Sequence, residues 1–163
     1  MKRTTRRRTL TPALARRLRL VVLDVDGVLT DGGLWFGPRG EALKRFHVRD
    51  GHGVKLAQRA GLTVAVISGR RSAAVATRRR ELGIRHVFQG VGDKWAVLEK
   101  LLAKLDISAR ETLCMGDDTP DVPLFLRAGF AVAVSDAHPL AATAADRLTT
   151  LRGGQGAVRE MID

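Results

Sequence analysis

Short apolar runs alternate with stretches of mixed polarity along most of the chain. Five of these runs are LRLVVL, LTVAVIS, HVFQ, ETLCM and FAVAV, and their nearly unbroken apolar character is typical of strands buried on both faces of a parallel sheet. Segments with helical spacing lie between them, the clearest being KWAVLEKLLAKL at Lys94–Leu105. This alternation predicts an α/β fold built on a doubly wound, mostly parallel sheet.

Turn and capping residues divide the predicted elements. Residues 32–48 carry two short runs around Gly-Pro-Arg-Gly, which predicts a β-hairpin. We expect a helix that Asp50 caps and Gly61 ends, and another short helix over residues 121–128. A tail at residues 152–163 begins with Gly-Gly-Gln-Gly and is expected to turn helical.

The chain length of 163 residues allows one domain with a substantial core. We place that domain at residues 20–163, after a basic and flexible leader at residues 1–19. The net charge of +11 permits nucleic-acid binding. However, no aromatic residues are interleaved with the basic ones, and tyrosine is absent. We therefore interpret the charge as a solvated tail and a helix face, and expect no nucleic-acid partner.

The cellular compartment is suggested by what the sequence lacks. No apolar run approaches the roughly 20 residues of a membrane span, and the leader has no apolar core typical of a secretory signal. The single cysteine, Cys114, lies in an apolar run and fits a reducing compartment. We expect a cytoplasmic protein that does not bind membranes.

Carboxylates follow two of the predicted strands. Asp24 and Asp26 come after the first, and three more, Asp117, Asp118 and Asp121, follow the fourth. Because the carboxyl ends of parallel strands meet in one crevice, we expect these groups to converge there. Such a cluster requires a cation, a bound proton, or both. The oxygen ligands favour Mg²⁺, and no His or Cys pair has the spacing of a zinc site.

Phosphoryl transfer is a chemistry that this set of residues can perform. One carboxylate can attack phosphorus, and another can protonate the leaving alcohol and then deprotonate water. Ser68 at a strand end and Lys94 at a helix start are suited to hold the phosphoryl oxygens.

The motifs DVDGVLT, ISGR, GDK and GDDTPD, in this order from Leu20 onward, resemble those of the haloacid dehalogenase superfamily. The resemblance implies that Asp24 is the nucleophile and Asp26 the general acid/base, whose backbone carbonyl also binds Mg²⁺. It also implies that Asp117 is a metal ligand. Asp118 and Asp121 would not bind the metal directly but would support its ligands, with Asp121 holding Lys94 or a metal-bound water. An aspartate two residues after the nucleophile favours phosphate-ester hydrolysis.

Further stretches resemble a capless branch of that superfamily, the phosphatases of 3-deoxy-D-manno-octulosonate 8-phosphate. These stretches are FHVRDGHGVKLAQRAG, ELGIRHVFQGVGDK, VSDAHPL and GGQGAVRE. The resemblance implies a homotetramer assembled through the hairpin and a tail that reaches a neighbour's site. Trp35 and Phe36 of the hairpin would be exposed on a monomer, so we expect them at a subunit interface. It implies substrate contacts at His47, Val48, Arg49, Asp50, Gly51, Lys55, Arg70 and Arg78. His47 and His52 depart from residues common in that branch.

Two other functions stay open at this stage. The same chemistry on a nine-carbon sugar-acid 9-phosphate of the sialic-acid type is one of them. A noncatalytic module that binds a sugar phosphate or nucleic acid is the other, although the presence of both Asp24 and Asp26 argues against it.

Overall fold

Strands and helices alternate along the part of the chain that the computed structural model describes, residues 8–163. The strands are β1 (Leu20–Leu23), β2 (Trp35–Gly37), β3 (Gly40–Leu43), β4 (Thr63–Ser68), β5 (His86–Gln89), β6 (Thr112–Gly116), β7 (Phe130–Ala133) and β8 (Arg147–Leu148). The helices are α1 (Pro12–Ala15), α2 (Val48–Arg59), α3 (Ala73–Leu82), α4 (Lys94–Leu105), α5 (Val122–Phe125), α6 (Pro139–Ala144) and α7 (Ala157–Ile162), with 3-10 turns at Ala109–Glu111 and Thr119–Asp121. Each helix in this described region is too short or too polar to serve as a membrane span.

Six strands form one sheet in the order β5-β4-β1-β6-β7-β8, and all neighbouring pairs are parallel. β1 lies inside the sheet, with Val22 opposite Ala65 of β4 and Cys114 of β6. From β1 the chain winds to one edge through β4 and β5, and then to the other edge through β6, β7 and β8. The strand order reverses beside β1, which is where sheets of this kind bind ligands. The predicted doubly wound, mostly parallel sheet is confirmed.

Both faces of the sheet are covered by helices. On one face Val21 and Leu23 pack with side chains of α2, α3 and α7. On the other face Leu20 and Val22 pack with side chains of α4, α5 and α6. Because side chains alternate along a strand, a run of four consecutive apolar residues in β1 supplies both layers. Burial on both faces explains why the strands have no polar alternation.

The hairpin of β2 and β3 projects from the sheet and, among the described residues, forms a separate two-stranded sheet. Its turn lies at residues 38 and 39, and an isolated bridge between Thr30 and Phe46 closes its base. The Trp35 and Phe36 side chains are 61% and 65% exposed. Between Ser68 and the start of α4 the structure contains only α3 and β5, so this span holds no cap domain.

The leader predicted at residues 1–19 is folded onto the domain over its described part. Residues 1–7 lie outside the described residues. The backbone N–H of Arg8 donates to the carbonyl of Asp146 at 2.9 Å, and Leu10 and Leu14 pack against the core. Burial of these apolar side chains stabilises the contact of this segment with the domain, while the boundary at residue 20 stays a prediction.

Two predicted helix boundaries are wrong. α2 begins after His47, whose Nδ1 accepts a backbone N–H of the first turn at 3.2 Å, and Asp50 lies inside that turn. The helix predicted over residues 121–128 is shorter, since a 3-10 turn occupies Thr119–Asp121 and α5 covers only Val122–Phe125. The reason is that the Asp118 carboxylate caps the 3-10 turn, which ends where α5 begins.

Asp50 is buried and binds the C-terminal tail. Its two carboxylate oxygens accept the backbone N–H groups of Gly156 at 3.2 Å and Arg159 at 3.0 Å. The tail also approaches the loop after β1, where the Gly154 N–H donates to the Val28 carbonyl at 2.8 Å. A side chain on Gly153 would overlap the carbonyl of Gly27, so this close contact requires glycine. The tail therefore packs on its own domain beside the loop that carries Asp24 and Asp26.

Replacing Asp50 tests this attachment of the tail. We expect Asp50→Ala to lower the free energy of unfolding by about 2–3 kcal/mol, because two backbone N–H groups lose their acceptor in a buried position. Urea unfolding measures this loss, and hydrogen exchange at Gly156 and Arg159 should become faster. Asp163→Ala is the control, since Asp163 pairs with the Arg159 side chain at the surface and should change stability by less than about 0.5 kcal/mol. Equal stability of both variants would contradict the role of Asp50.

Candidate active site

Three neighbouring strands and one helix deliver the predicted catalytic side chains to the same edge of the sheet. Asp24 follows β1, Ser68 ends β4, and Asp117 follows β6. Lys94 is the first residue of α4, whose N-cap Asp93 accepts the Ala96 N–H at 3.0 Å. The strand order beside β1 brings these residues together, although they are far apart in sequence.

Lys94 forms the centre of this cluster. Its side chain is almost fully buried, and its Nζ lies 2.8 Å from Oδ2 of Asp24 and 2.7 Å from Oδ1 of Asp121. Burial by itself lowers the pKa of Lys94, but the carboxylates of Asp24 and Asp121 outweigh it and raise that pKa above its ordinary value. The ammonium therefore stays charged between its two partners.

Asp121 connects Lys94 to the loop after β6. While Oδ1 of Asp121 accepts from Lys94, Oδ2 accepts the backbone N–H groups of Asp117 at 3.0 Å and Asp118 at 3.3 Å. The Asp118 carboxylate is used locally and accepts the Thr119 N–H at 2.6 Å. Asp121 thus holds Lys94 and the Asp117 backbone in a fixed relation.

The surroundings of Asp24 and Asp117 disfavour the ionised form of both carboxylates. Burial, with the charge of Asp121, raises the pKa of Asp24 to about 6, although Lys94 opposes this shift. Burial, with the charges of Asp24, Asp121 and Asp118, raises the pKa of Asp117 to about 7. One ammonium therefore does not neutralise the cluster, and a bound cation would lower the free energy of its ionised form.

The side chains present fit Mg²⁺. Oxygen atoms of Asp24, Asp117 and Asp121 lie within 4.8 Å of one another, and the group contains no nitrogen or sulfur ligand. The Asp121 side chain is only 2% exposed and holds the backbone N–H groups of Asp117 and Asp118, whereas that of Asp24 is 11% exposed, so Asp24 and Asp117 are the better ligands. A side chain at Gly27 would overlap the Asp117 carboxylate, so the glycine in DVDG leaves room for this group beside the loop.

Asp26 contacts Lys44, a partner that the sequence did not reveal. Its Oδ1 accepts a hydrogen bond from Nζ of Lys44, and the Lys44 side chain is only 1% exposed. Glu41 lies 3.1 Å from Lys44 and also 3.1 Å from Nη2 of Arg70. Lys44 and Glu41 belong to the hairpin and its C-terminal end, where charged residues resemble those of any exposed strand.

Two of the residues expected to bind substrate line a cavity of about 460 Å³ beside Lys44, namely Val48 and Arg78. The Arg78 guanidinium lies 5.8 Å from the ring of Phe46, which also lines the cavity, and 2.8 Å from the carboxylate of Glu81. This cavity adjoins Asp26, because Lys44 lines the cavity and also donates a hydrogen bond to Oδ1 of Asp26.

The other expected substrate residues lie around the start of α2 and along its length. Arg49 is exposed, and Gly51 is buried so closely beneath Arg78 that a side chain there would overlap its guanidinium. Lys55 donates to the Glu81 carbonyl at 3.0 Å. Asp50 is occupied by the tail, and His47 caps the helix.

At the end of β4, Ser68 is 1% exposed, and its hydroxyl accepts the Arg70 N–H at 3.3 Å. The structure therefore brings Asp24, Lys94, Asp117 and Asp121 into one connected cluster. Asp26 and Arg70 belong to the adjoining hairpin network.

Known proteins are similar to this chain in both sequence and fold. The haloacid dehalogenase-like hydrolase family matches residues 80–162. The 3-deoxy-D-manno-octulosonate 8-phosphate phosphatase KdsC of Escherichia coli K12 is 46% identical over 151 residues, which are 93% of this chain and 80% of that protein.

Two solved structures agree closely with this one. The corresponding phosphatase from Yersinia pestis has a TM-score of 0.90 at 42% identity, covering 93% of this chain and 82% of that one. The phosphatase from Moraxella catarrhalis, in a complex with magnesium, phosphate and 3-deoxy-D-manno-octulosonate (KDO), has a TM-score of 0.89 at 39% identity, covering 92% and 86%. The chain therefore belongs to the haloacid dehalogenase-like hydrolases and is a homologue of the KdsC proteins.

Proposed function

We propose that the protein is a Mg²⁺-dependent phosphatase that hydrolyses 3-deoxy-D-manno-octulosonate 8-phosphate to KDO and phosphate. The observation that carries this proposal is the contact of Lys94 with Asp24 in a crevice that also holds Asp117. The likeness to KdsC over most of both chains supports the substrate. We assign the reaction to the cytoplasm and to lipopolysaccharide biosynthesis.

Asp24 is the nucleophile in this proposal. Its Oδ2 faces Lys94 and its Oδ1 accepts the Val25 N–H at 2.7 Å, so the carboxylate is held in one orientation. Attack on phosphorus forms an aspartyl phosphate as the bond from phosphorus to the sugar oxygen breaks. Lys94 and the Ser68 hydroxyl hold the phosphoryl oxygens while charge develops on them.

Asp26 transfers the proton in both halves of the reaction. Its side chain is 21% exposed, so it can reach both the leaving oxygen and an incoming water. It protonates the sugar oxygen as the first bond breaks, and then takes a proton from the water that hydrolyses the aspartyl phosphate. This double role requires a carboxylate that is not itself phosphorylated. Asp26 meets that requirement, because Asp24 is the residue that carries the phosphoryl group.

Asp24 and Asp117 are the side chains that would hold Mg²⁺, together with the backbone carbonyl of Asp26. When bound, the ion supplies charge neutralisation between the anionic nucleophile and the anionic ester. Asp118 and Asp121 support this arrangement from the loop after β6, where Asp121 fixes the Asp117 backbone.

The cavity beside Lys44 is the place we assign to the sugar acid. Val48 and Arg78 line it, and the fork of donors in Arg78 suits a carboxylate. Arg70, which Glu41 holds nearby, supplies a second guanidinium. His47, Arg49, Gly51 and Lys55 complete the proposed substrate-binding region.

A homotetramer assembled through the hairpin is also proposed. Leu34, Trp35, Phe36 and Leu43 are all more than 40% exposed in the single chain, which is an unusual concentration of large apolar side chains on a short hairpin. Contact between hairpins of neighbouring subunits would remove this surface from water. The subunits would then shield the active sites in place of a cap domain.

A panel of sugar-acid phosphates tests the proposed function. We expect the eight-carbon KDO 8-phosphate to give a higher kcat/KM than nine-carbon sialic-acid-type 9-phosphates by about tenfold or more, measured as phosphate release. Asp24→Asn should reduce turnover by at least about a thousandfold, because an amide cannot attack phosphorus, while circular dichroism remains unchanged. A preference for the nine-carbon esters would reassign the substrate, and full activity of Asp24→Asn would refute the mechanism.

Mg²⁺ binding should weaken in acid. Below their raised pKa values of about 7 and about 6, Asp117 and Asp24 carry protons that the ion must displace. Between about pH 8 and about pH 6 we expect the affinity to fall by about tenfold. Calorimetric titration with Mg²⁺ measures this change, and Asp117→Asn should bind weakly at both values. An affinity that does not depend on pH would show that these groups do not bind the ion.

Oligomeric state tests the assembly. We expect light scattering to give the mass of four chains for the wild-type protein and a smaller mass for the double variant Trp35→Ser, Phe36→Ser. Leu126→Ser, which changes a 50% exposed leucine just after α5, is the matched control and should leave the mass unchanged. A wild-type protein with the mass of one chain would exclude the tetramer.

A further inference from the structure

Lys44 is the most deeply buried charge of the hairpin region. Its side chain is 1% exposed, whereas that of the neighbouring Arg45 is 62% exposed and lies 3.7 Å from Asp31. Lysine usually keeps its ammonium in water, and burying it costs free energy unless carboxylates compensate. The location of this buried charge therefore needs an explanation beyond the folding of a two-stranded hairpin.

The two partners of Lys44 come from different parts of the fold. One is Asp26, in the loop after β1, and the other is Glu41, in β3, at 3.1 Å. Glu41 is tied in turn to Arg70, just after β4, also at 3.1 Å. The chain of contacts thus runs from the body of the domain through the hairpin and back to Asp26. Such a bridge restricts the orientation of the Asp26 carboxylate, which is itself partly exposed.

We propose that Lys44 is a positioning residue for Asp26, and that Glu41 holds Lys44 in place. This inference rests on the proposed function, in which Asp26 protonates the leaving oxygen. A carboxylate that transfers a proton must remain within hydrogen-bond distance of the reacting oxygen, and a fixed partner on one oxygen leaves the other for that task. Lys44 supplies that partner through its contact with Oδ1.

Direct contact with the sugar acid is the competing role, because Lys44 also lines the cavity beside Arg78. The two roles differ in their dependence on the leaving group. Nitrophenolate leaves without a proton, whereas the oxygen of a simple alkyl phosphate needs one. Neither ester carries a sugar-acid carboxylate, so a comparison of the two isolates the proton transfer.

The experiment measures kcat/KM for a small alkyl phosphate and for 4-nitrophenyl phosphate with saturating Mg²⁺. This parameter reports the steps up to formation of the aspartyl phosphate, in which the leaving group departs. We expect Lys44→Met to lower kcat/KM about ten- to a hundredfold for the alkyl ester and less than about threefold for the nitrophenyl ester. Lys44→Arg, which keeps the charge, should recover part of the loss.

Arg45→Met is the matched control, since it removes a positive charge one residue away. It should leave kcat/KM unchanged for both esters. Equal losses with both esters in Lys44→Met would indicate a structural role and overturn the proposal. Unchanged activity with both would overturn it as well. Circular dichroism and light scattering verify that the hairpin and the assembly persist. A wild-type protein that hydrolyses neither ester would instead refute the proposed phosphatase function, which separates the two failures.

Discussion

The ammonium of Lys94 lies between the carboxylates of Asp24 and Asp121, and these contacts join the start of α4 to the loop after β1 and to the 3-10 turn after β6. Each member of the trio is buried, so each would carry a large desolvation cost without the others. Because Asp117 adds a further carboxylate nearby, the cluster keeps an excess of negative charge. Burial, together with that excess of negative charge, raises the pKa values of Asp24 and Asp117, and a divalent cation would stabilise their ionised forms.

The sheet allows this cluster to form with little adjustment of the backbone. β1 and β6 are neighbours, so the residues that follow them meet at one edge, and α4 starts at the same edge with Lys94. Asp121 then holds the backbone N–H groups of the loop after β6, while glycine at position 27 gives the Asp117 carboxylate room. The rigidity of the site comes from these backbone contacts as well as from the ion pairs.

Two segments outside the six-stranded sheet border the active-site loop. The hairpin reaches Asp26 through Lys44, and the C-terminal tail packs on the carbonyl of Val28 and on Asp50. Both segments therefore contact the loop after β1. In a domain without a cap, these contacts offer a way to shape the site and to connect it with the surface that we assign to subunit assembly.

The pattern of the sequence was sufficient to predict the sheet and to place Asp24, Ser68, Lys94 and Asp117 at the ends or starts of its elements. The reason is that strand ends are local features and parallel topology collects them at one edge. The pairing of Lys44 with Asp26 was not predictable in this way. It depends on the direction in which the hairpin leaves the sheet.

The capping role expected of Asp50 shows the same limit. From sequence it is an acidic residue at the start of a helix, while in the structure it is buried and bound to a tail more than a hundred residues away. The chain by itself determined the fold class and the carboxylate cluster, since both follow from alternation and spacing. Only the tertiary structure decided which charges meet across long loops, because a buried ion pair depends on side-chain direction and on exclusion of water, and neither is encoded within a few neighbouring residues.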